Sequence, residues 1–334
     1  IDNAGVLIGG TGTRIEAGSL VNRGQVYGQR DTTLAVAGRI DNSGLIGAAQ
    51  TVAVNAGALQ QAATAELSAG TDVTLKIVGE LANGGQLIAE RALDVNADRL
   101  TNTGTTAASD TRLTLGALDN RGAVLASGTL DIDASRRIDN AAAARLRAGQ
   151  AITLHSAQLD NAGEVVSDGD LRINAESIVN RQRLEAAQQL QLATGTFTQT
   201  RDGLALGRQL TATATGLLDN AGRLHATERM TLNAGNLDNS GTVYSTHALR
   251  LDSSGTLRNA GVIASDAAVV LRVRLGDAKA REFLGRVLDA FDLNADGVEL
   301  RSDLALGIEG QQGFATAARG MVKRVGEVQP LLQV

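Results

Sequence analysis

The chain is built from a short unit in which apolar and polar residues alternate. From Asn161 it runs N-A-G-E-V-V-S-D-G-D-L-R-I-N-A-E-S-I-V-N, and the stretch from Asn220 follows the same pattern. Each unit holds three short alternating segments, around Val165, Leu171 and Ile178 in the first of these two stretches. A period of two over a few residues is typical of a strand with one buried face, and polar, glycine-containing turns separate the segments. A unit of this length has no room for a helix of about ten residues.

An asparagine marks the start of each unit and sets the period of the chain. A Leu or Ile precedes it by two residues, and a Gly follows it by two residues in ten of the twelve cases, with Ala142 and Gln182 as the exceptions. Gln61 and Gln199 fill two gaps of double length in register. The resulting fourteen amide positions, 18 to 22 residues apart, are Asn3, Asn22, Asn42, Gln61, Asn83, Asn102, Asn120, Asn140, Asn161, Asn180, Gln199, Asn220, Asn239 and Asn259. A step this regular indicates a repeat architecture.

Three strands per unit, none able to bury its own apolar face, must stack on the neighbouring units. A parallel β-helix achieves this, because each unit becomes one coil and each strand pairs with the equivalent strand about 4.8 Å away in the next coil. Leucine-rich repeats have a similar period but carry one strand per unit. We therefore predict an all-β parallel β-helix of about fourteen coils, each of about 20 residues, over residues 1–275.

The repeat stops after residues 271–276, and a different pattern follows. Phe283, Leu284, Val287, Leu288 and Phe291 fall on one face of a helix over residues 277–291, and residues 314–325 show similar periodicity. We predict a small, mainly α-helical C-terminal module over residues 276–334. Its apolar faces are expected to cover the open end of the β-helix, where unpaired strand edges invite aggregation.

Between the two predicted helices lies D-L-N-A-D-G-V-E-L-R-S-D, residues 292–303, which is similar to an EF-hand loop. Such a loop places oxygen ligands at positions 1, 3, 5, 7 and 12 and Gly at position 6. Glu299 departs from the pattern at position 8, and Asp replaces Glu at position 12. The predicted Ca²⁺ ligands are Asp292, Asn294, Asp296, the Val298 carbonyl and Asp303. The alternative is an Asp/Asn/Gly turn between two helices.

The amino-acid composition argues against several classes of protein. The chain has no Cys, which excludes disulfides and thiolate metal sites. Aromatic residues are 2% of the chain, too few for an ordinary enzyme core. The net charge of −5 comes without a basic block, so no nucleic-acid partner is expected. No apolar run reaches the roughly 18 residues of a membrane span. Residue 1 falls inside a repeat and no signal peptide precedes it, so we expect an internal piece of a longer protein.

The repeated turn has a structural and a chemical interpretation. Equivalent amides stack in a β-helix, and each carries a donor and an acceptor, so we expect a structural Asn/Gln ladder. The Gly two residues later is expected to supply a positive φ. An Asp often precedes the Asn, and these carboxylates either form a cation-binding row or are solvated turn residues: Asp2, Asp41, Asp119, Asp139, Asp160, Asp219 and Asp238. We favour the solvated turn, because other residue types fill the same slot elsewhere.

Catalysis has little support in the sequence. A polysaccharide-cleaving β-helix needs clustered carboxylates or basic residues, usually supplied by long loops, and the coils here differ in length by only four residues. His155, His225 and His247 fall at different phases of the repeat. We therefore predict that the chain is not an enzyme.

The repeats resemble those of filamentous haemagglutinin. The shared features are the recurring L-D-N-x-G followed by L-x-[VIL]-N-A, as in residues 171–175, 93–97 and 230–234. Such repeats occur in the exoproteins of bacterial two-partner secretion, including those of contact-dependent growth inhibition. The resemblance implies a right-handed β-helix, export through an outer-membrane transporter and display on the cell surface.

We predict the structural shaft of a secreted, surface-displayed filamentous adhesin or contact-dependent inhibition exoprotein. The expected partners are the outer-membrane two-partner secretion transporter during export and a receptor or glycan on a host or neighbouring cell. Two alternatives stay open: a β-helical polysaccharide-degrading enzyme, and a receptor-binding tip carried by the C-terminal module.

Overall fold

The computed structural model describes residues 1–274 and 303–309, which fall into two compact units, Ile1–Gln189 and Leu190–Val334. Strands of the first unit have the following bounds: β1 Asp2–Asn3, β2 Val6–Gly9, β3 Gly12–Ala17, β4 Leu20–Asn22, β5 Gln25–Gly28, β6 Asp31–Asn42, β7 Leu45–Ala48, β8 Thr51–Gln61, β9 Glu66–Ala69, β10 Asp72–Asn83, β11 Gln86–Ala89, β12 Ala92–Asn102, β13 Thr105–Ala108, β14 Asp110–Asn120, β15 Ala123–Ala126, β16 Thr129–Asn140, β17 Arg145–Ala148, β18 Ala151–Asn161, β19 Glu164–Ser167 and β20 Asp170–Asn180. Strand β21, Arg183–Gln199, contains the junction between the units.

Every strand of the first unit pairs in parallel with the equivalent strand of the neighbouring coil. Strand β11 pairs with β9 and β13, and β12 pairs with β10 and β14. The second and third predicted segments of most coils form one long strand that bends, with a register shift at the bend in β10 between Ile77 and Glu80. The predicted parallel β-helix is therefore confirmed for this unit, as a β-solenoid whose coils are a short strand followed by a longer bent one.

The core of the solenoid is a column of layers of aliphatic side chains. In one coil, Val165, Leu171, Ile173 and Ile178 point inward and are at most 2% exposed, and residues between them point outward. Burying an aliphatic side chain of this size contributes about 1.5–3 kcal/mol, so the alternation found in the sequence directly determines the core. The inward positions are mostly Leu, Ile, Val and Ala.

The second unit is also built from strands in which buried and outward-facing residues alternate. Its strands are β22 Leu204–Asn220, β23 Arg223–Asn239, β24 Thr242–Ser245, β25 Ala248–Ser253, β26 Leu257–Asn259, β27 Val262–Ser265, β28 Ala268–Arg274 and β29 Asp303–Glu309. Strands β22 and β23 each run 17 residues through all three predicted segments of a coil and pair in parallel. Phe197 is fully buried in this unit.

The C-terminal region differs in one respect from the prediction of a mainly helical module. Strand β29 lies inside residues 276–334 and pairs antiparallel with β28, from Arg274 opposite Asp303 to Ala268 opposite Glu309. Backbone pairing on the edge of β28 explains why a strand forms there, since an unpaired edge leaves hydrogen-bonding groups unsatisfied. The predicted helices over 277–291 and 314–325 lie outside the described residues.

Candidate functional site

The repeated amides of the first unit form one buried column. From Asn3 to Asn180 each side-chain nitrogen donates to the amide oxygen of the next coil, over 2.7–2.9 Å in every step except one. The exception is the step from Gln61 to Asn83, at 3.5 Å. The second hydrogen of Asn102 Nδ2 goes to the Ala123 carbonyl at 3.1 Å, and equivalent bonds recur along the column. Each nitrogen thus satisfies both of its donors inside the protein.

In the second unit the column contains a break at a glutamine. Asn220 donates to Asn239 and Asn239 to Asn259, both over 2.7 Å. Gln199 Nε2 instead donates to the Arg223 carbonyl at 2.6 Å, and the buried Asn220 Oδ1 has no hydrogen-bond partner. The asparagines make the equivalent carbonyl bond as well, so the step from Gln199 to Asn220 lacks only the bond between the two amides.

Three turns after the amide are two residues longer than the rest. They are 62–65, 141–144 and 200–203, and each closes with a backbone bond from its last residue to its first, over 2.9–3.0 Å. Ala142 is an exception to the glycine pattern because it belongs to one of these wide turns, in which Ala143 takes a φ of 65°. Asn140 begins this turn and still bonds to Asn161 at 2.8 Å, so an asparagine fits a wide turn.

Substituting Gln199→Asn is expected to raise the free energy of unfolding by about 1 kcal/mol, because it offers the Asn220 oxygen a donor. The change is measured as an increase in the thermal melting temperature. Gln29→Asn is the control, since Gln29 is exposed in a turn, and it should leave the melting temperature unchanged. A lower melting temperature for Gln199→Asn would show that the additional methylene group matters more than the missing bond.

The glycine after the amide is required by the approach of two coils. A Cβ at Gly104 would lie 2.1 Å from the Gly85 carbonyl oxygen, and one at Gly122 would lie 2.1 Å from that of Gly104. None of these glycines has φ in the left-handed region. The expectation of a positive φ is therefore wrong, because the constraint comes from the backbone of the preceding coil and not from the conformation of the glycine itself.

Where neighbouring coils both carry an aspartate before the amide, these aspartates stack along the outer surface. Asp119, Asp139 and Asp160 are in register on three successive strands. Burial first, and then Asp119 and Asp160, raise the pKa of Asp139 above its usual value, although Arg137 at 2.8 Å acts in the opposite direction. Burial and Asp238 likewise raise the pKa of Asp219. The carboxylates therefore repel one another.

Substituting Asp139→Asn is expected to stabilise the protein by about 0.5 kcal/mol at pH 7 and to have no effect at pH 3. A folded-state pKa above the ordinary 3.8 means that ionisation costs stability as the pH rises through the folded pKa, whereas below 3.8 both states are protonated. Melting temperatures at the two pH values measure the effect. Asp133→Asn, at an exposed position outside the row, is the control, and an equal gain from it would contradict the proposed repulsion.

A shallow groove of about 640 Å³ lies on the outer surface of the first unit. Its polar groups, Glu16, Asn55, Lys76 and Asn96, follow one register row, in which Ala35 fills the place between Glu16 and Asn55. Glu16 and Lys76 are three coils apart, or about 14 Å. Glu16 is the one carboxylate among the residues that line the groove, and it forms an ion pair with Arg14. The groove therefore does not bring together the three carboxylates or arginines that a polysaccharide-cleaving site requires.

The other predicted sites have simpler outcomes. Within residues 1–274 and 303–309 no group of three or more His, Cys, Asp or Glu residues could hold a metal ion. Of the predicted Ca²⁺ ligands, Asp303 begins strand β29, while Asp292, Asn294, Asp296 and Val298 lie outside the described residues, so the calcium site stays a prediction. In the same described part of the chain no helix is long and apolar enough to cross a membrane.

Comparison with known proteins agrees with the repeat structure. The profile of the haemagglutinin repeat matches residues 1–44, 45–124, 125–195 and 166–261. Comparison with curated proteins and with solved structures gave no significant match. The four matches cover most of the chain and coincide with the region in which the amides recur. The chain therefore belongs to the haemagglutinin repeat family, as a filamentous haemagglutinin-type repeat protein.

Proposed function

We propose that this chain is a shaft segment of a secreted, surface-displayed adhesin or contact-dependent inhibition exoprotein. The observation that carries the proposal is the column of bonded amides from Asn3 to Asn180, in a chain of the haemagglutinin repeat family. Each coil adds the same contacts as the last, so a stack of coils gains length without needing a new core. A structure of this kind suits reach and lateral attachment better than catalysis in a closed pocket.

Export through an outer-membrane two-partner secretion transporter is part of the proposal. A chain that emerges from its amino-terminal end can fold one coil at a time, because each new strand pairs with the strand of the preceding coil. The amide nitrogen of each completed coil also provides the donor for the next amide. Folding outside the cell would thus proceed by templating and would favour outward movement of the chain.

Attachment to a receptor or glycan on another cell is the second part. The outer faces of the coils are available for it, and the groove around Lys76 supplies small residues beside an exposed ammonium group. The C-terminal module, residues 276–334, is the alternative location, as a receptor-binding tip whose Ca²⁺ loop would order outside the cell.

A bead assay separates these locations. Beads coated with the full chain, with a variant lacking residues 277–334, or with an unrelated β-solenoid are incubated with epithelial and bacterial cells, and attached beads are counted. Attachment by both versions of the chain supports the coils as the adhesive part. Loss on deletion assigns attachment to the C-terminal module, and no attachment by the full chain rejects adhesion for this segment.

A further inference from the structure

The two tyrosines of the chain occupy equivalent places on the outer surface. Tyr27 and Tyr244 each lie five residues after the amide of their coil, in the short first strand. The residue before each, Val26 or Val243, points into the core and is fully buried. The two tyrosines point outward, so their rings are not part of the core. Both tyrosines are partly exposed, and a rigid aromatic ring at the surface offers a large contact area at low entropic cost, as in binding surfaces.

Tyr244 is held in place from two sides. Its hydroxyl donates to Asp266 Oδ2 at 2.6 Å, and the centroid of the His225 ring lies 5.3 Å from that of Tyr244, with the planes at 52°. His225, Tyr244 and Ala264 are in register on successive strands. The next position along the row is thus an alanine, whose methyl group is too small to cover the ring. The ring is ordered before any ligand arrives.

Arg223 supplies a cation on the coil before that of Tyr244. Arg223 is exposed, precedes His225 by two residues on the same face of β23, and is in register with Thr242. Among the residues that the structure describes, its guanidinium makes no ion pair. Asp266 belongs to the coil two steps further on, about 10 Å along the stack. A cation, an aromatic ring and a carboxylate therefore follow one another along the surface.

We propose that Arg223, Tyr244 and Asp266 bind a glycan whose terminal sugar carries a carboxylate. The planar guanidinium binds a carboxylate through two parallel hydrogen bonds. The apolar face of a pyranose packs on the Tyr244 ring, while the oxygen of Asp266 that Tyr244 does not use accepts hydroxyl groups. The inference rests on the proposed adhesive function and names the ligand class for one part of its surface.

Tyr27 has the same place in its coil without these polar neighbours. Its ring lies over Gly47 of the next coil, where an added Cβ would be 3.2 Å from Cδ2 of the ring. Ile8 and Gly47 are its register neighbours, and neither carries a charge. Tyr27→Ala therefore removes an equivalent, partly exposed ring without removing the proposed site, which makes it the matched control.

The test measures affinity of the full chain for immobilised oligosaccharides by biolayer interferometry. One series ends in a carboxylated sugar, a second in the matching neutral sugar, and a third carries sulfate groups. We expect preference for the first series, and at least about tenfold weaker binding for Arg223→Gln and for Tyr244→Ala. Tyr244→Phe, which keeps the ring, should lose less. Tyr27→Ala and Arg229→Gln, which removes an exposed arginine further along β23, should bind normally, and melting temperatures verify folding.

Several results would overturn the site. These are no binding to carboxylated glycans, equal binding to the neutral series, or affinity unchanged by Tyr244→Ala. Binding to sulfated chains that depends on total charge alone would identify a nonspecific attraction instead. The bead assay separates the glycan site from the adhesive function. Normal attachment of cells to beads that carry Tyr244→Ala would reject the site and leave the adhesive function standing. Glycan binding without attachment of cells would support the site and reject the adhesive function.

Discussion

Substituting Asn102→Ala is expected to lower the free energy of unfolding by about 3 kcal/mol. Asn102 is fully buried, accepts a bond from Asn83 at 2.9 Å and donates to Asn120 at 2.9 Å and to the Ala123 carbonyl at 3.1 Å. Alanine removes these three bonds and also the bond that the Thr106 hydroxyl donates to Asn102 Oδ1 at 3.3 Å. It also leaves the buried Asn120 oxygen without its donor, which costs more than the loss of an exposed hydrogen bond.

Asn96 provides the control on the same strand. It is exposed on the outer face of β12, so Asn96→Ala should change the free energy of unfolding by less than about 0.5 kcal/mol. Urea unfolding followed by circular dichroism measures both variants. Equal effects of the two substitutions would show that the column does not hold adjacent coils together and that aliphatic layers alone determine the stability of the stack.

Substituting Gly104→Ala is expected to cost about as much, roughly 3 kcal/mol, for a steric reason. The new methyl group would lie 2.1 Å from the Gly85 oxygen and 2.7 Å from the Gly84 carbonyl carbon. Both contacts involve backbone, so one coil must move away from the other. The shift would also lengthen the hydrogen bond from the Asn83 side-chain nitrogen to the Asn102 side-chain oxygen, which joins the same two coils.

Gly18→Ala tests whether this cost belongs to the position or to glycine in general. Gly18 is exposed, and nothing lies within 4 Å of a Cβ built there. Its substitution should change the free energy of unfolding by less than about 0.5 kcal/mol. Thermal and urea unfolding of both variants measure the difference. A mild effect of Gly104→Ala would mean that the turn tolerates a wider separation of the coils.

The alternation of apolar and polar residues predicts the strands, and the regular spacing of the amides predicts the column of Asn and Gln side chains. Alternation predicts the inward positions, such as Leu171 and Ile173, because side-chain direction in a strand depends only on the residue's own place in it. The Asn step predicts which amides become neighbours. The role of glycine could not be predicted in this way, because the obstacle at Gly104 is an atom of another coil.

The coils also differ in where they accommodate additional residues. The step from Gln61 to Asn83 is the longest, at 22 residues. The structure places its additional residues in the turn 62–65 and at the register shift after Ile77. Step length alone could not separate a wider turn from a bulge, because both restore the register of the following strand.

The sequence by itself determined the parallel stacking of coils, the inward and outward faces and the family, because period and alternation are properties of successive residues. Only the tertiary structure decided which outward side chains meet. Arg223, His225, Tyr244 and Asp266 lie on three coils and become neighbours through the register of β23, β24 and β27. That register depends on backbone bonds between coils and on turn lengths, so contacts along the stack follow from three-dimensional packing and not from spacing in the chain.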